Sequence, residues 1–309
     1  MADPVVSVVV PVFNRSQMVG IAIDSSLRSA VPVEVVAVDD ASTDDTWEVL
    51  RAYADPRVKP VRMERNGGQS AARNRGLDAA RGRYVKFLDS DDELVAEHLE
   101  AEVRALQSGA EIAVSDWIEE DENGNRRYYE APRFGDIVDD VLAGKAVTVT
   151  SGLYLRRPDW RWDATLRKID DWDFFAQAAL GASRIETVPG AGFIVHHHGG
   201  ARATAAGIIP NAREHFRILR KMEDRLAADG RLTPARKRRL AQYCYKELRV
   251  LCLHDPEMFA REAAHIRALD PEFQPRDEES QAFMRALARA VGFERAIRWH
   301  SAIKRAVKR

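Results

Sequence analysis

The run Arg83-Tyr84-Val85-Lys86-Phe87-Leu88-Asp89-Ser90-Asp91-Asp92 carries an apolar stretch up to a knot of carboxylates. That is the pattern of a buried strand whose carboxyl end opens onto a site. On an extended backbone, residues i and i+2 share a side, so Asp89 and Asp91 converge. Converging carboxylates repel unless a cation sits between them, and a divalent metal is the obvious candidate. A hard metal held by one or two carboxylates usually finds its other ligands on phosphate oxygens. The same residues also suit a solvated acidic turn capping a helix that begins near Glu93, since Asp is a favoured N-cap. On these residues alone the two readings stand level.

The elements that must position this knot come next. Val5 to Val12 is valine-rich and reads as a buried parallel strand. Gln17 to Ser29 reads as a helix, and Val33 to Val38 as a second strand ending at Asp39-Asp40. Ser42 or Thr43 can cap a helix over Asp44 to Ala54. Arg57 to Met63 is a third strand, followed by the Asn66-Gly67-Gly68 loop and a helix over Ser70 to Ala80. Tyr84 to Leu88 is a fourth strand, and Leu94 to Gln107 a further helix. Such alternation predicts a mostly parallel, Rossmann-like α/β sheet flanked by helices, with its ligand crevice beyond the strands' carboxyl ends. Phe13-Asn14, Asp39-Asp40 and Asp89 to Asp92 all fall at such ends.

Beyond Glu111 the pattern loosens. Ile112 to Trp117 and Arg126 to Glu130 read as strands around an Asn123-Gly124 turn. Thr148 to Leu155 and Gly192 to His198 read as further strands, and Asp170 to Leu180 as a helix. Past about Pro210 the composition turns to Ala, Leu, Arg and Glu at helical spacing. The predicted division is residues 1–207, with halves 1–110 and 111–207, and a helical C-terminal region over 208–309.

The chain has 309 residues and a formal net charge of −1, which gives no global attraction to nucleic acid. Its two cysteines, Cys244 and Cys252, lack metal-ligand spacing and suit reduced packing residues. No basic n-region opens the chain and no apolar run is long enough to span a bilayer, so a cytoplasmic protein is expected.

The quoted residues resemble a known family. The segment from Val6 to Arg15, Val35 to Thr46 (VVAVDDASTDDT) and Asn66 to Asp92 (NGGQSAARNRGLDAARGRYVKFLDSDD) are similar, in order and spacing, to three signatures of family 2 glycosyltransferases of the GT-A fold. The likeness continues more loosely to about residue 205 and does not reach the C-terminal helices. It implies an inverting enzyme that moves a sugar from a nucleotide-diphosphate sugar, UDP- or dTDP-type, to an acceptor hydroxyl in polysaccharide or glycoconjugate synthesis.

By that resemblance Pro11 and Phe13 lie against the nucleotide base. Asp40, with Asp39 beside it, accepts a hydrogen bond from the base. Gly67 and Gly68 let the backbone approach the donor, and Arg73 contacts it. Asp89-Ser90-Asp91 matches the DxD motif: Asp89 meets ribose, Ser90 lines the donor site, and Asp91 holds Mn²⁺ or Mg²⁺ with Asp92 in support. Asp171 matches the base that takes the acceptor's proton, with Asp170 and Trp172 on the acceptor side. As bare residues, the acids at 170, 171 and 173 equally suit a helix N-terminus.

His198 matches a strand-end histidine that completes the metal shell, with Thr204 downstream and a Gly199 to Gly207 segment suited to a lid. Phe283 to Arg309 holds eight Lys and Arg against the single acid Glu294. A basic amphipathic helix of this kind can lie on an anionic membrane at its inner face, dimerise, or pack on its own domain. Partners are therefore a nucleotide sugar and a glycan, lipid-linked or small-molecule acceptor. The competing classes are a non-catalytic sugar-nucleotide-binding module and an aspartate-dependent phosphatase. The latter places its aspartates on the first strand, unlike Asp89 and Asp91.

Overall fold

The computed structural model describes residues 3–166, 168–197, 208–252, 255–275 and 291–299. The chain forms two compact units, one of residues 1–137 and 146–201, the other of 138–145 and 202–309.

In the first unit the strands are β1 (Val6–Val12), β2 (Val33–Asp39), β3 (Val58–Arg62), β4 (Tyr84–Phe87), β5 (Glu93–Leu94), β6 (Ile112–Glu120), β7 (Arg126–Tyr129), β8 (Gly152–Leu155) and β9 (Ile185–His196). Its helices are α1 (Val19–Leu27), α2 (Thr46–Arg51), α3 (Gln69–Ala79), α4 (Leu99–Gln107) and, after the intervening α5 (Ile137–Leu142), α6 (Asp170–Gly181). One sheet runs β3-β2-β1-β4-β8-β6-β9-β5, with β7 attached to β6.

β1 is buried along its whole length, as a valine strand covered on both faces should be. It pairs in parallel with β2 and β4, and β2 pairs in parallel with β3. The register sets Val12 beside Asp39 and Asp39 beside Arg62, so these strands finish along one edge. Past β4 the sheet becomes mixed: β8 is antiparallel to β4, and β6 is antiparallel to β8 but parallel to β9. Glycine brings α3 close to β1, since a Cβ on Gly76 would lie 2.3 Å from Val9 Cγ1.

Three local expectations are corrected, and one helix was not anticipated. No helix begins at Glu93 or Leu94; those residues pair with Ile194 and Phe193 of β9, and α4 starts at Leu99. The acidic knot therefore caps no helix. The strand expected from Thr148 starts only at Gly152, because Val149–Ser151 forms a 3₁₀ turn in which Thr148 Oγ1 accepts the Thr150 N–H. β9 begins at Ile185, with a bulge opposite Ser115 and Asp116 that breaks its alternation. The short α5 (Ile137–Leu142) had no clear sequence signal.

The second unit contains α5 from Val138 onward and the helices α7 (Ile208–Ala228), α8 (Pro234–Leu251) and α9 (Pro256–Leu269). Thr233 and Asp255 cap α8 and α9, each followed by proline at the first helical position. Phe216, Leu219, Met222, Leu248, Phe259 and Ile266 are among its buried residues. Tyr245, Phe273 and Phe293 pack ring against ring at 5.1–6.1 Å. Cys244 is a buried free thiol, pushed up to about 12 by burial. Among the described residues no helix is long and apolar enough to cross a membrane.

Candidate active site

Arg73 stands on the second turn of α3 with its side chain wholly buried. Burial alone disfavours a charged guanidinium, so carboxylates must surround it. Nη2 donates to Asp89 Oδ1 at 2.8 Å and Nη1 to Asp171 Oδ1 at 2.8 Å. Nη1 also lies 3.5 Å from Asp170 Oδ2. Burial works against the positive charge, but Asp171, Asp89 and Asp170 outweigh it and hold the pKa above the ordinary arginine value. The guanidinium carbon sits 4.2 Å from the centroid of the Trp162 ring.

Asp170 and Asp171 open α6, where negative charge suits the helix dipole. Ile169 precedes them at φ 48°, a conformation that turns the chain sharply into the helix. Asp170 is buried and faces α3, accepting from Ser70 Oγ at 2.5 Å and from Gln69 Nε2 at 3.2 Å. Asp171 keeps 36% of its side chain open. Crowding by surrounding protein, with the nearby charges of Asp89 and Asp170, pushes its pKa up to about 6 against the opposing pull of Arg73.

At the ends of β1 and β2, Asp39 is fully buried. Its Oδ1 accepts the Ser42 N–H at 3.0 Å. Its Oδ2 lies 3.2 Å from Arg62 Nε but is not aligned to accept a hydrogen bond from it. Asp40 differs: Oδ1 accepts the Gly67 N–H at 2.7 Å and Oδ2 the Gly68 N–H at 2.8 Å. Gly68 stands at the N-cap of α3 with φ 85°, where a side chain would be strained. Asn14 and Ala41 also take positive φ, 53° and 57°, so backbone strain gathers at these strand ends. Asn14 Oδ1 accepts the Thr43 N–H at 2.8 Å, tying the two ends together. Pro11 is buried, while Phe13 is 42% exposed.

Beyond β4, Ser90 and Asp92 are buried and Asp91 is partly open. Arg15 Nε lies 3.9 Å from Asp91 Oδ2. Among the described residues no group of three or more His, Cys, Asp or Glu forms a self-sufficient cation site. Asp91 does offer the carboxylate oxygen that magnesium and manganese prefer, and magnesium commonly takes only one or two carboxylates beside substrate phosphates. The chemistry therefore fits a cation shared with a diphosphate.

Residues 7–163 match the family model described as Glycosyl transferase family 2. The chain belongs to that family. This family 2 chain is 35% identical over 213 residues to the succinoglycan biosynthesis protein ExoO of Rhizobium meliloti (strain 1021), covering 62% of this chain and 61% of that one. It is 31% identical over 104 residues to the UDP-Glc:alpha-D-GlcNAc-diphosphoundecaprenol beta-1,3-glucosyltransferase WfaP of Escherichia coli, covering 33% and 41%. The matches thus span less than two thirds of these relatives' length. Residues 1–349 of S. aureus TarS, crystallised with UDP-GlcNAc, superpose with a TM-score of 0.67 at 19% identity, covering 95% of this chain and 89% of that one. That likeness shows the GT-A fold.

In this glycosyltransferase-family fold, Asp89, Asp170 and Asp171 meet at Arg73, a convergence on an arginine that the motifs had not indicated. Asp40, expected at the base, has both carboxylate oxygens taken by the glycine loop, which leaves Asp39 with the less committed oxygen. Asp170, expected beside the acceptor, is turned into α3. Trp172 is half-buried on α6. His198, Thr204 and most of the basic 283–309 segment lie outside the described residues. Sequence reasoning missed Ser70, Gln69, Arg15, Arg62 and Trp162. Ser70 and Arg73, three apart on α3, share a helix face and could have been paired. Trp162 lies in an irregular segment and gave no signal.

Proposed function

We propose that this chain transfers a sugar from a UDP- or dTDP-type nucleotide-diphosphate sugar to an acceptor hydroxyl, with inversion at the anomeric carbon. The observation that carries the reading is the Arg73 fork. It holds Asp89, on the donor side, and Asp171, 98 residues from Arg73 in sequence, on the two terminal nitrogens of one guanidinium. A donor carboxylate and a candidate base are thereby held a few ångströms apart, as a single displacement needs.

In this mechanism the buried Oδ2 of Asp39 accepts the base N–H after the half-exposed Arg62 beside it moves aside for the donor, Phe13 offers a face to the base, and Asp89 meets ribose through its open side. Pro11, Gly68 and Ser90 line the donor. Asp171 takes the proton of the acceptor hydroxyl as its oxygen bonds to the anomeric carbon. The bond from that carbon to the diphosphate breaks, and the electron pair leaves with the nucleoside diphosphate. Asp170, held by Ser70 and Gln69, fixes the start of α6 so that Asp171 faces the site. Trp172 offers a platform to the acceptor. Asp91 would hold Mn²⁺ or Mg²⁺, with His198 as a second ligand, and the ion would offset the charge of the departing diphosphate. The similarity to WfaP and ExoO favours a glycan or lipid-linked acceptor in polysaccharide synthesis.

The test is a nucleotide-sugar screen with and without Mn²⁺, read by thermal shift and by release of nucleoside diphosphate. A UDP- or dTDP-sugar is expected to stabilise the protein and be turned over, and Asp91→Ala to remove the metal response. A wild-type protein that neither binds nor cleaves any such donor overturns the reading.

A further inference from the structure

We propose that Trp162, clamped by Asn74, is the positioning residue for the Arg73 fork; the inference rests on the reading of Asp171 as the base. Arginine reaches the site on a flexible stem, yet its two terminal nitrogens must point at Asp89 and Asp171 together. Those two bonds fix the ends of the fork but leave the tilt of its plane to whatever packs on it. The Trp162 ring, 4.2 Å from the guanidinium carbon, supplies a flat surface for that plane. Phe174 stacks on the indole at 4.4 Å and 12°, and Phe87 meets it edge-on at 5.2 Å. The indole is thus backed by two rings of the core and cannot recede.

Trp162 lies between β8 and α6, where no strand ladder fixes its backbone. Asn74 does so instead: its Nδ2 donates to Trp162 O at 2.9 Å, and its Oδ1 accepts the Trp162 N–H at 3.0 Å. The adjacent residues Arg73 and Asn74 therefore split one task, the first reaching the carboxylates and the second holding the surface beneath it. The indole Nε1–H is buried and has no hydrogen-bond partner. An unsatisfied donor is a cost, so what the ring contributes is its face, and tryptophan is the best face for a cation.

The experiment is a double-mutant cycle on kcat, with Trp162→Phe, Trp162→Leu and Asn74→Ala each made alone and with Arg73→Lys. Lysine keeps the charge and loses the flat fork. Trp162→Phe retains a flat face and is expected to stay within about threefold of wild type, since phenyl also binds a cation. Trp162→Leu and Asn74→Ala are expected to lower kcat about 10–100-fold, the usual range for a misplaced reacting group. In the Arg73→Lys background the same changes should add less than about twofold, because residues acting through one another are not additive. Losses that multiply instead, or a Trp162→Phe variant as poor as Trp162→Leu, overturn the proposal.

A second readout does not depend on turnover. The guanidinium nitrogen resonances of Arg73, identified by their absence in Arg73→Lys, should be resolved in the wild type and merge in Asn74→Ala as the fork loosens. Unchanged resonances in both Asn74→Ala and Trp162→Leu also overturn the proposal. A wild type that transfers no sugar removes the functional reading, and the spectra then still decide the positioning.

Discussion

Asp40 Oδ2 accepts the backbone N–H of Gly68 at 2.8 Å, and its Oδ1 accepts that of Gly67 at 2.7 Å. A carboxylate with both oxygens spent on a loop is a structural staple, whereas its neighbour Asp39 keeps Oδ2 without an aligned donor. The two acids should therefore fail differently. Asp40→Asn replaces one charged acceptor by an amide N–H₂ that faces a donor, which costs about 1.5–3 kcal/mol of folding stability. Asp39→Asn can keep its bond to Ser42 and loses only the pair to the half-exposed Arg62, so it should cost less stability than Asp40→Asn, while UDP affinity drops about tenfold, or roughly 1.4 kcal/mol. Chemical denaturation and calorimetry with UDP check this. The reverse order, with Asp40→Asn stable and unable to bind UDP, would return the base contact to Asp40.

Asp171 gives the pH dependence a sign. A base works only as the carboxylate, so kcat/KM should fall as pH drops through about 6, where burial and the charges of Asp89 and Asp170 place this group. Tyr154, also facing it, stays neutral because burial pushes its pKa far up. Arg73 stays cationic throughout. Asp170→Asn removes one of the negative neighbours, so the acid limb should move to lower pH. A pH–rate profile of both proteins measures it, and a limb that stays put or moves upward counts against Asp171 as the titrating group.

The strand and helix order through the first four strands was legible chiefly because the valine runs of β1 and β2 and the short apolar run of β4 each end at a polar knot. The glycines before α3 and the acids opening α6 were legible for a related reason: their residue types match what a tight approach and a helix start require. The strand-forming fate of Glu93-Leu94 was not. Its signal is the partner strand Phe193-Ile194, far away in sequence, and a local acid-to-helix pattern reads equally well. In the same way the identity of the acids at the site was clear, but not their tasks. Which of Asp39 and Asp40 is spent on the loop depends on where the Gly67-Gly68 backbone lies, and no residue type records that.

Gly76 tests how tightly α3 must lie on β1. A Cβ there would stand 2.3 Å from Val9 Cγ1, and Val9 is itself fully buried between neighbouring strands. Alanine favours helix over glycine by about 0.5–1 kcal/mol, but overpacking a core costs about 1–3 kcal/mol, so the clash should win. Gly76→Ala should therefore lower the denaturation midpoint. Pairing it with Val9→Ala makes room for the methyl, and the double variant should lose less than the sum of the singles. Simple additivity would mean that α3 shifts freely on the sheet, and that the placement of Arg73 does not rest on this contact.

Lys86 on β4 and Glu102 on α4 form an ion pair sealed inside the same unit, with Nζ 2.8 and 3.0 Å from the two carboxylate oxygens. Both are essentially without solvent exposure, so each compensates the other's desolvation. Lys86→Met leaves a buried carboxylate alone and should cost about 3–5 kcal/mol, while the same lysine replaced together with Glu102→Leu should come out near neutral. The two outcomes separate a pair that stabilises from one that only fixes geometry. Asp89 lies three residues beyond Lys86 on the same chain segment, so the double variant also asks whether β4 still delivers that carboxylate to Arg73. If stability returns but donor turnover does not, the pair acts to hold the strand in register beneath the site. If both return, an apolar contact between β4 and α4 is sufficient, and the fork alone sets the position of Asp89.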